Sequence, residues 1–203
     1  MGIITAEALY PNSGHYNTHT SSVSDLAAMR PDNIVRQPSA MIFNGTMILA
    51  GLAIAVAAYL LHREGNGGRL TVPLALLGLG MVGVGFVSGT HLALHTLFAM
   101  TAFVSGGVGA LLTAKSHPGA LRLVFRCLGV VSLTSLAVGS FLITWAPVAR
   151  LGEGGAERWV IYPVVFWVIA LGIGLMAAEG RDPRKVRTGA VQNRAGPLRS
   201  PLP

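Results

Sequence analysis

Between Ser39 and Ala178 the chain is a succession of apolar runs in which charges fall only in the short gaps or at the ends, never at a run's middle. In hydrocarbon a backbone amide has no water partner, so a segment of this kind must close its own hydrogen bonds as a helix or join a closed barrel. A helix crosses the roughly 30 Å of bilayer hydrocarbon with about 20 apolar residues. Five runs have that length: about Ser39–Leu61, Leu70–Val87, His91–Ala114, Leu121–Trp145 and Trp159–Ala178. None has the period-two alternation of a barrel strand. The expected fold is an all-α polytopic membrane bundle of five spans. Composition agrees, since only 11% of the 203 residues are charged, against roughly 25% in a soluble domain.

The chain is expected to divide into a polar segment over 1–38, a five-helix bundle over 39–178 and a disordered basic tail over 179–203. Lys and Arg are retained on the cytoplasmic side of a membrane. Arg63 and Arg69 follow the first run, Lys115, Arg122 and Arg126 follow the third, and the tail carries Arg181, Arg184, Lys185, Arg187, Arg194 and Arg199. A five-span path puts these three regions on one side, while the gap Ser88-Gly89-Thr90 carries no base. The plasma-membrane topology so predicted has the tail inside and the N-terminal segment outside. No basic and apolar leader of the signal-peptide type precedes Tyr10. The tail is expected to act as a topology determinant, with contact to anionic lipid headgroups as the alternative, and no folded basic face accompanies it, so nucleic acid is not an expected partner. The bilayer is. Cys127, the one cysteine, allows no intramolecular disulfide and is expected to be a small buried hydrophobe.

Two motif matches carry no chemistry. Gly78, Gly80 and Gly83 fit the dinucleotide-binding glycine pattern, but that motif needs a strand, a turn and a later acid. Within an apolar run, glycines instead let helix backbones approach, and Ala102, Gly106 and Ala110 read the same way. Asn44-Gly45-Thr46 fits a glycosylation acceptor but lies inside the first run.

On the predicted topology, polar residues gather at the outer face. The N-terminal segment brings His15, His19, Ser24 and Asp25. The first span enters with Asn44, and the third with His91 and His95, which share a helical face at i and i+4. The fifth opens with Glu157 and Arg158. Ionisable groups at membrane depth face a cavity or one another, so an outward-facing polar pocket between spans one, three and five is expected. Its binding residues would be Asn44, His91, His95, Glu157 and Arg158. Each has a plainer role: His91 as a helix cap, His95 as a packing residue, Glu157 as a favourable charge at a helix N-terminus, Arg158 reaching for headgroups, and Ser24-Asp25 capping a short helix.

Two functions fit that pocket. The first is non-enzymatic: the cluster stabilises the bundle or binds a lipid headgroup, with Arg158 and a histidine receiving a phosphate. The second is an outer-face hydrolase acting on a lipid-like substrate. In its serine form Ser24 is nucleophile, His95 or His91 the base, and Asp25 or Glu157 the orienting acid. In its metal form His91 and His95 bind zinc, with Asp25, Glu157 or the pair His15/His19 completing the shell. Transport is disfavoured, because the middle and inner halves of the spans carry no ionisable stepping stones.

An ordered set of short motifs adds a resemblance: Tyr10-Pro11, then Ser24-Asp25-Leu26-Ala27, then Phe43-Asn44, then His95 opening a later span. Last comes Gly154-Gly155-Ala156-Glu157-Arg158, with Tyr162 and Trp167 beyond. Over about Tyr10 to Met176 the chain resembles the prokaryotic membrane family known as domain of unknown function 998. The resemblance implies a six-helix membrane fold of unassigned activity. Relatives place a span before the Tyr-Pro, so the resemblance implies that the first helix is lacking here, either because the native start lies upstream or because this copy is truncated. Ala27 stands where the family usually has glycine.

Overall fold

The computed structural model describes residues 1–11, 16–65, 68–87, 91–142 and 144–179. His15, the Ser88-Gly89-Thr90 gap and the basic tail from 180 onward lie outside the described residues. The chain forms two compact units, Met1–Trp167 and Val168–Pro203. In order it runs through a short helix α1 (Gly2–Ala8), then α2 (Ser39–Arg63), α3 (Thr71–Phe86), α4 (Leu92–Ser116), α5 (Gly119–Phe141), a single turn α6 (Ala146–Ala149) and α7 (Gly152–Glu179). Of the second unit, the described part is the end of α7. Five helices are long and apolar enough to cross a membrane, and this is a polytopic helical membrane protein. Among the described residues the only β pairing is an isolated bridge between Met29 and Ile34. Asn33, at φ 52°, sits inside that turn, a left-handed conformation asparagine tolerates better than most residues.

The helix ends depart from the apolar runs in two places. α5 stops at Phe141, short of Trp145, and α7 begins at Gly152, well before Trp159. Glycines 152, 154 and 155 are weak helix formers, so hydropathy gave no reason to extend the helix through them. Gly154 and Gly155 are helical because another part of the chain supplies an acceptor for their free amides, as described below, while Gly152 opens the helix at φ 68°.

α4 is the central helix. Half of its span is buried, against 17% for α2 and for α5. Packing within the first unit is set by small residues. A Cβ on Gly78 of α3 would lie 2.7 Å from the Gly51 carbonyl oxygen of α2 and 2.9 Å from the Ala55 nitrogen. A Cβ on Gly80 would lie 2.7 Å from the Ala102 nitrogen of α4. Gly109 faces the indole of Trp167, which is fully buried and donates from Nε1 to Thr113 Oγ1 at 3.0 Å. Ser132 of α5 donates to the Val160 carbonyl of α7 at 3.1 Å. Many large apolar side chains are turned outward: Leu49, Val72, Phe86, Phe141 and Phe166 are all exposed on the isolated protein, while Phe43, Phe125 and Trp167 are buried. Lipid chains are as apolar as leucine, so helix association here rests on close packing and not on hiding large side chains.

Cys127 corrects the sequence reading, because it is exposed on α5. An apolar run does not distinguish the side that meets protein from the side that meets lipid.

The glycine contacts predict opposite outcomes for two similar substitutions. Gly78→Ala must push α2 and α3 apart and is expected to cost about 1–3 kcal/mol by overpacking. Gly45→Ala, on a face of α2 with nothing within 4 Å of the new Cβ, is expected to gain up to about 1 kcal/mol from helix propensity. Thermal unfolding of the two variants in one detergent checks both signs.

Candidate functional site

The first two turns of α7 are wrapped by residues 16–25. The α7 amides of Gly154 and Gly155 donate to the His19 carbonyl at 3.1 and 3.4 Å, and His19 Nε2 donates to the Arg150 carbonyl at 2.9 Å. A side chain at Gly154 would overlap the carbonyl oxygens of Thr18 and Ser21. Arg158 completes the clasp. Its Nη1 donates to the carbonyls of Thr18 (2.9 Å), Ser21 (3.3 Å) and Gly154 (2.8 Å). Its Nη2 donates to Tyr16 Oη at 2.7 Å and forms an ion pair with Glu7 of α1. The Tyr16 hydroxyl reaches the Ser22 carbonyl at 3.2 Å. Arg158 is only 9% exposed. Both terminal nitrogens are therefore engaged by protein acceptors, and Arg158 does not line the cavity described below. Burial raises the Tyr16 hydroxyl well above the usual tyrosine range, against the opposing pull of the Arg158 guanidinium.

A second network starts at Ser22. The Ser22 amide donates to Asp25 Oδ2 at 2.7 Å, and the Asp25 amide donates to Ser22 Oγ at 3.1 Å. This is the reciprocal exchange of a capping box, here closing the 3₁₀ turn Ser24–Leu26. Ser22, not Ser24, is the capping hydroxyl. Asp25 Oδ1 accepts from Arg30 Nε at 2.9 Å. Arg30 Nη2 then donates to Ser22 Oγ at 2.9 Å and to Glu153 Oε1 at 2.6 Å. Burial works against the charge on Arg30, but Asp25 and Glu153 outweigh it and hold its pKa above the ordinary arginine value. Asp25, 5% exposed, is thus fully engaged in local structure.

Ser24, freed from capping, turns toward α7. Its Oγ donates to Glu157 Oε1 at 3.2 Å, and the Val23 amide donates to Glu157 Oε2 at 2.5 Å. Beside this pair lies a cavity of about 230 Å³ between the N-terminal segment and α4, α5 and α7. Ser24, Arg30, His95 and Glu157 line its polar part, while Phe103 and Leu136 belong to its apolar lining. Ser24 and Glu157 also border a smaller, almost wholly apolar space of about 90 Å³.

His95 is 5% exposed, and its Nδ1 lies 2.6 Å from the Val87 carbonyl oxygen. A carbonyl only accepts, so Nδ1 carries a proton, and in the neutral form of the ring Nε2 is a bare lone pair. That nitrogen has no partner among the described residues.

Of the residues expected in one pocket, the structure brings together Ser24, His95 and Glu157. His91 is exposed at the N-cap of α4. Asn44 lies where α2 meets α3, its backbone oxygen 2.8 Å from a Cβ built on Gly85, and it is not part of the cavity lining. The fourth span, α5, lines the cavity in place of the first. Among the described residues no group of three or more His, Cys, Asp or Glu side chains is placed to hold a metal. Arg30, Glu153, Glu7 and Tyr16 were missed. The Ser22-x-x-Asp25 spacing was the readable signal for part of their network.

A family model described as "Protein of unknown function (DUF998)" matches residues 1–174. No curated protein and no solved structure matches the chain.

Removing one partner of a buried, hydrogen-bonded charge pair costs about 3–5 kcal/mol. Arg158→Met is accordingly expected to destabilise on that scale and to expose the amides of Val23, Gly154 and Gly155 to hydrogen exchange. Exchange mass spectrometry in detergent reads this directly. A pH effect follows from Tyr16. Its folded pKa lies above its unfolded one, so its stabilising contribution is complete below about pH 10, the ordinary tyrosine value, and is lost as pH rises beyond it. Alkaline titration of tyrosinate absorbance is expected to show a late ionisation that Tyr16→Phe removes.

Proposed function

The chain belongs to the DUF998 family, whose function is unassigned, and we propose that it is a multi-pass membrane protein that holds the polar head of an amphiphile in the cavity beside His95. The observation that carries this reading is the mixed lining, in which Ser24, Arg30, His95 and Glu157 stand in one cavity with Leu92, Met100, Phe103, Leu136 and Val160. A lipid-like molecule combines the same two characters. Ligand sites are largely apolar with a few placed polar groups, and buried His95 offers a lone pair that needs a donor. The distribution of Lys and Arg supports a plasma-membrane topology with this end outside and the basic tail in the cytoplasm. The arginine clasp supports a second, structural task for the same end, tying the N-terminal segment to α7.

A hydrolase reading has one observation in its favour: the Ser24 hydroxyl is hydrogen-bonded to the Glu157 carboxylate, and both residues line the cavity together with His95. His95, however, is oriented by a carbonyl and not by an acid, and Ser24 bonds to Glu157 and not to the imidazole. Holding, without cleavage, is the reading preferred here.

Gly139 of α5 lines the cavity, and a Cβ there meets nothing closer than Ala156 Cβ at 3.8 Å. Gly139→Leu is expected to fill the cavity while keeping or slightly raising stability, since leucine is the better helix former. Lipid extracted from wild-type and Gly139→Leu protein after identical purification tests the reading. Loss of a bound amphiphile in a variant that unfolds no earlier supports it, and equal lipid content in both rejects it.

A further inference from the structure

The polar groups of the cavity differ sharply in what they still have to offer. Arg158 is closed by five protein acceptors. Arg30 is shared between two carboxylates, Asp25 and Glu153. Glu157 enters none of the ion pairs among the described residues, which join Arg30 to Asp25, Arg30 to Glu153 and Arg158 to Glu7. Its carboxylate accepts two hydrogen bonds, from the Val23 amide and the Ser24 hydroxyl, and an ionised carboxylate has about four lone-pair positions. His95 Nε2 is buried and has no partner among the described residues. Among those residues the charged side chains lining the cavity are one arginine and two glutamates. With both glutamates ionised and His95 neutral, the site is rich in acceptors and short of one positive charge.

We infer that the head held in this cavity is a protonated amine, donating to His95 Nε2 and to the Glu157 carboxylate. The inference rests on the cavity being an amphiphile site. An ammonium has three donors and no acceptor, so it supplies both open acceptors and the missing charge together. A neutral hydroxyl brings one donor and no charge. A phosphate brings further acceptors beside two glutamates, and the one cation it would meet, Arg30, already serves two carboxylates. The shape of Arg158, a planar fork suited to phosphate, made an anionic head the natural expectation from sequence. The clasp removes that arginine from the site.

The test compares decylammonium, decyl phosphate and ethylammonium on the detergent-solubilised full chain, read by calorimetry or by the shift in thermal unfolding. Wild type is expected to bind decylammonium at least about tenfold tighter than decyl phosphate, the size of difference that one uncompensated charge produces. Gly139→Leu is expected to abolish that binding, and Glu157→Gln to bring the two amphiphiles within about twofold of each other. Should Glu157→Gln lose its cooperative unfolding, His95→Phe serves instead, with decylammonium expected to weaken more than fivefold. Decyl phosphate binding as tightly as decylammonium, with both lost in Gly139→Leu, overturns the amine and leaves the amphiphile site. Binding of both probes unchanged in Gly139→Leu overturns the amphiphile site itself. Ethylammonium binding as tightly as decylammonium keeps the amine but makes the ligand a free amine and not a lipid.

Discussion

A guanidinium that is nine-tenths buried beside a bilayer must be given acceptors by the protein, because neither lipid chains nor bulk water will provide them. Arg158 finds its acceptors in Glu7, Tyr16, Thr18, Ser21 and Gly154. Four of the five belong to the N-terminal segment, so satisfying this one charge fixes where that segment runs. Its route brings the His19 carbonyl over the free amides of Gly154 and Gly155 and Val23 onto Glu157. Helix α7 can then begin among glycines, and Ser24 arrives at the cavity wall. Two short motifs of the family resemblance, one holding Ser24 and the other Glu157, thus meet directly.

This arrangement separates two kinds of polar residue that look alike on paper. Asp25 and Arg158 are held by partners within the protein, and what they contribute is position. Ser24, His95 and Glu157 border empty space, and His95 and Glu157 retain acceptor capacity. Burial alone does not sort them, since Asp25 and His95 are equally buried at 5%. Completeness of pairing does.

Much of the fold was legible because hydrocarbon imposes a coarse rule: long uncharged runs must be helices. The ends of the runs were less legible. α7 starts at Gly152 through a tertiary contact that outweighs local propensity, and hydropathy has no means of seeing the His19 carbonyl. For the site, topology reported which end of the bundle a residue occupies but not which way it faces around its helix. Ser24, His95 and Glu157 line one cavity, while Asn44 and His91, expected beside them, do not. The i, i+4 spacing of His91 and His95 was real, yet one is exposed at a helix cap and the other is enclosed. Cys127 failed for a related reason: lipid and protein interior are equally apolar, so hydrophobicity says nothing about which one a side chain meets.

The glycine seams carry a consequence for how such a chain can change over time. In a water-soluble domain the large apolar residues are the constrained ones and the surface drifts. Here Leu49, Val72 and Phe86 face outward, where any similarly greasy side chain serves, whereas Gly51, Gly78 and Gly80 sit where a single methyl group meets backbone. The usual map of tolerance is turned inside out. Descendants of this sequence are free to exchange their bulk and bound to keep their gaps.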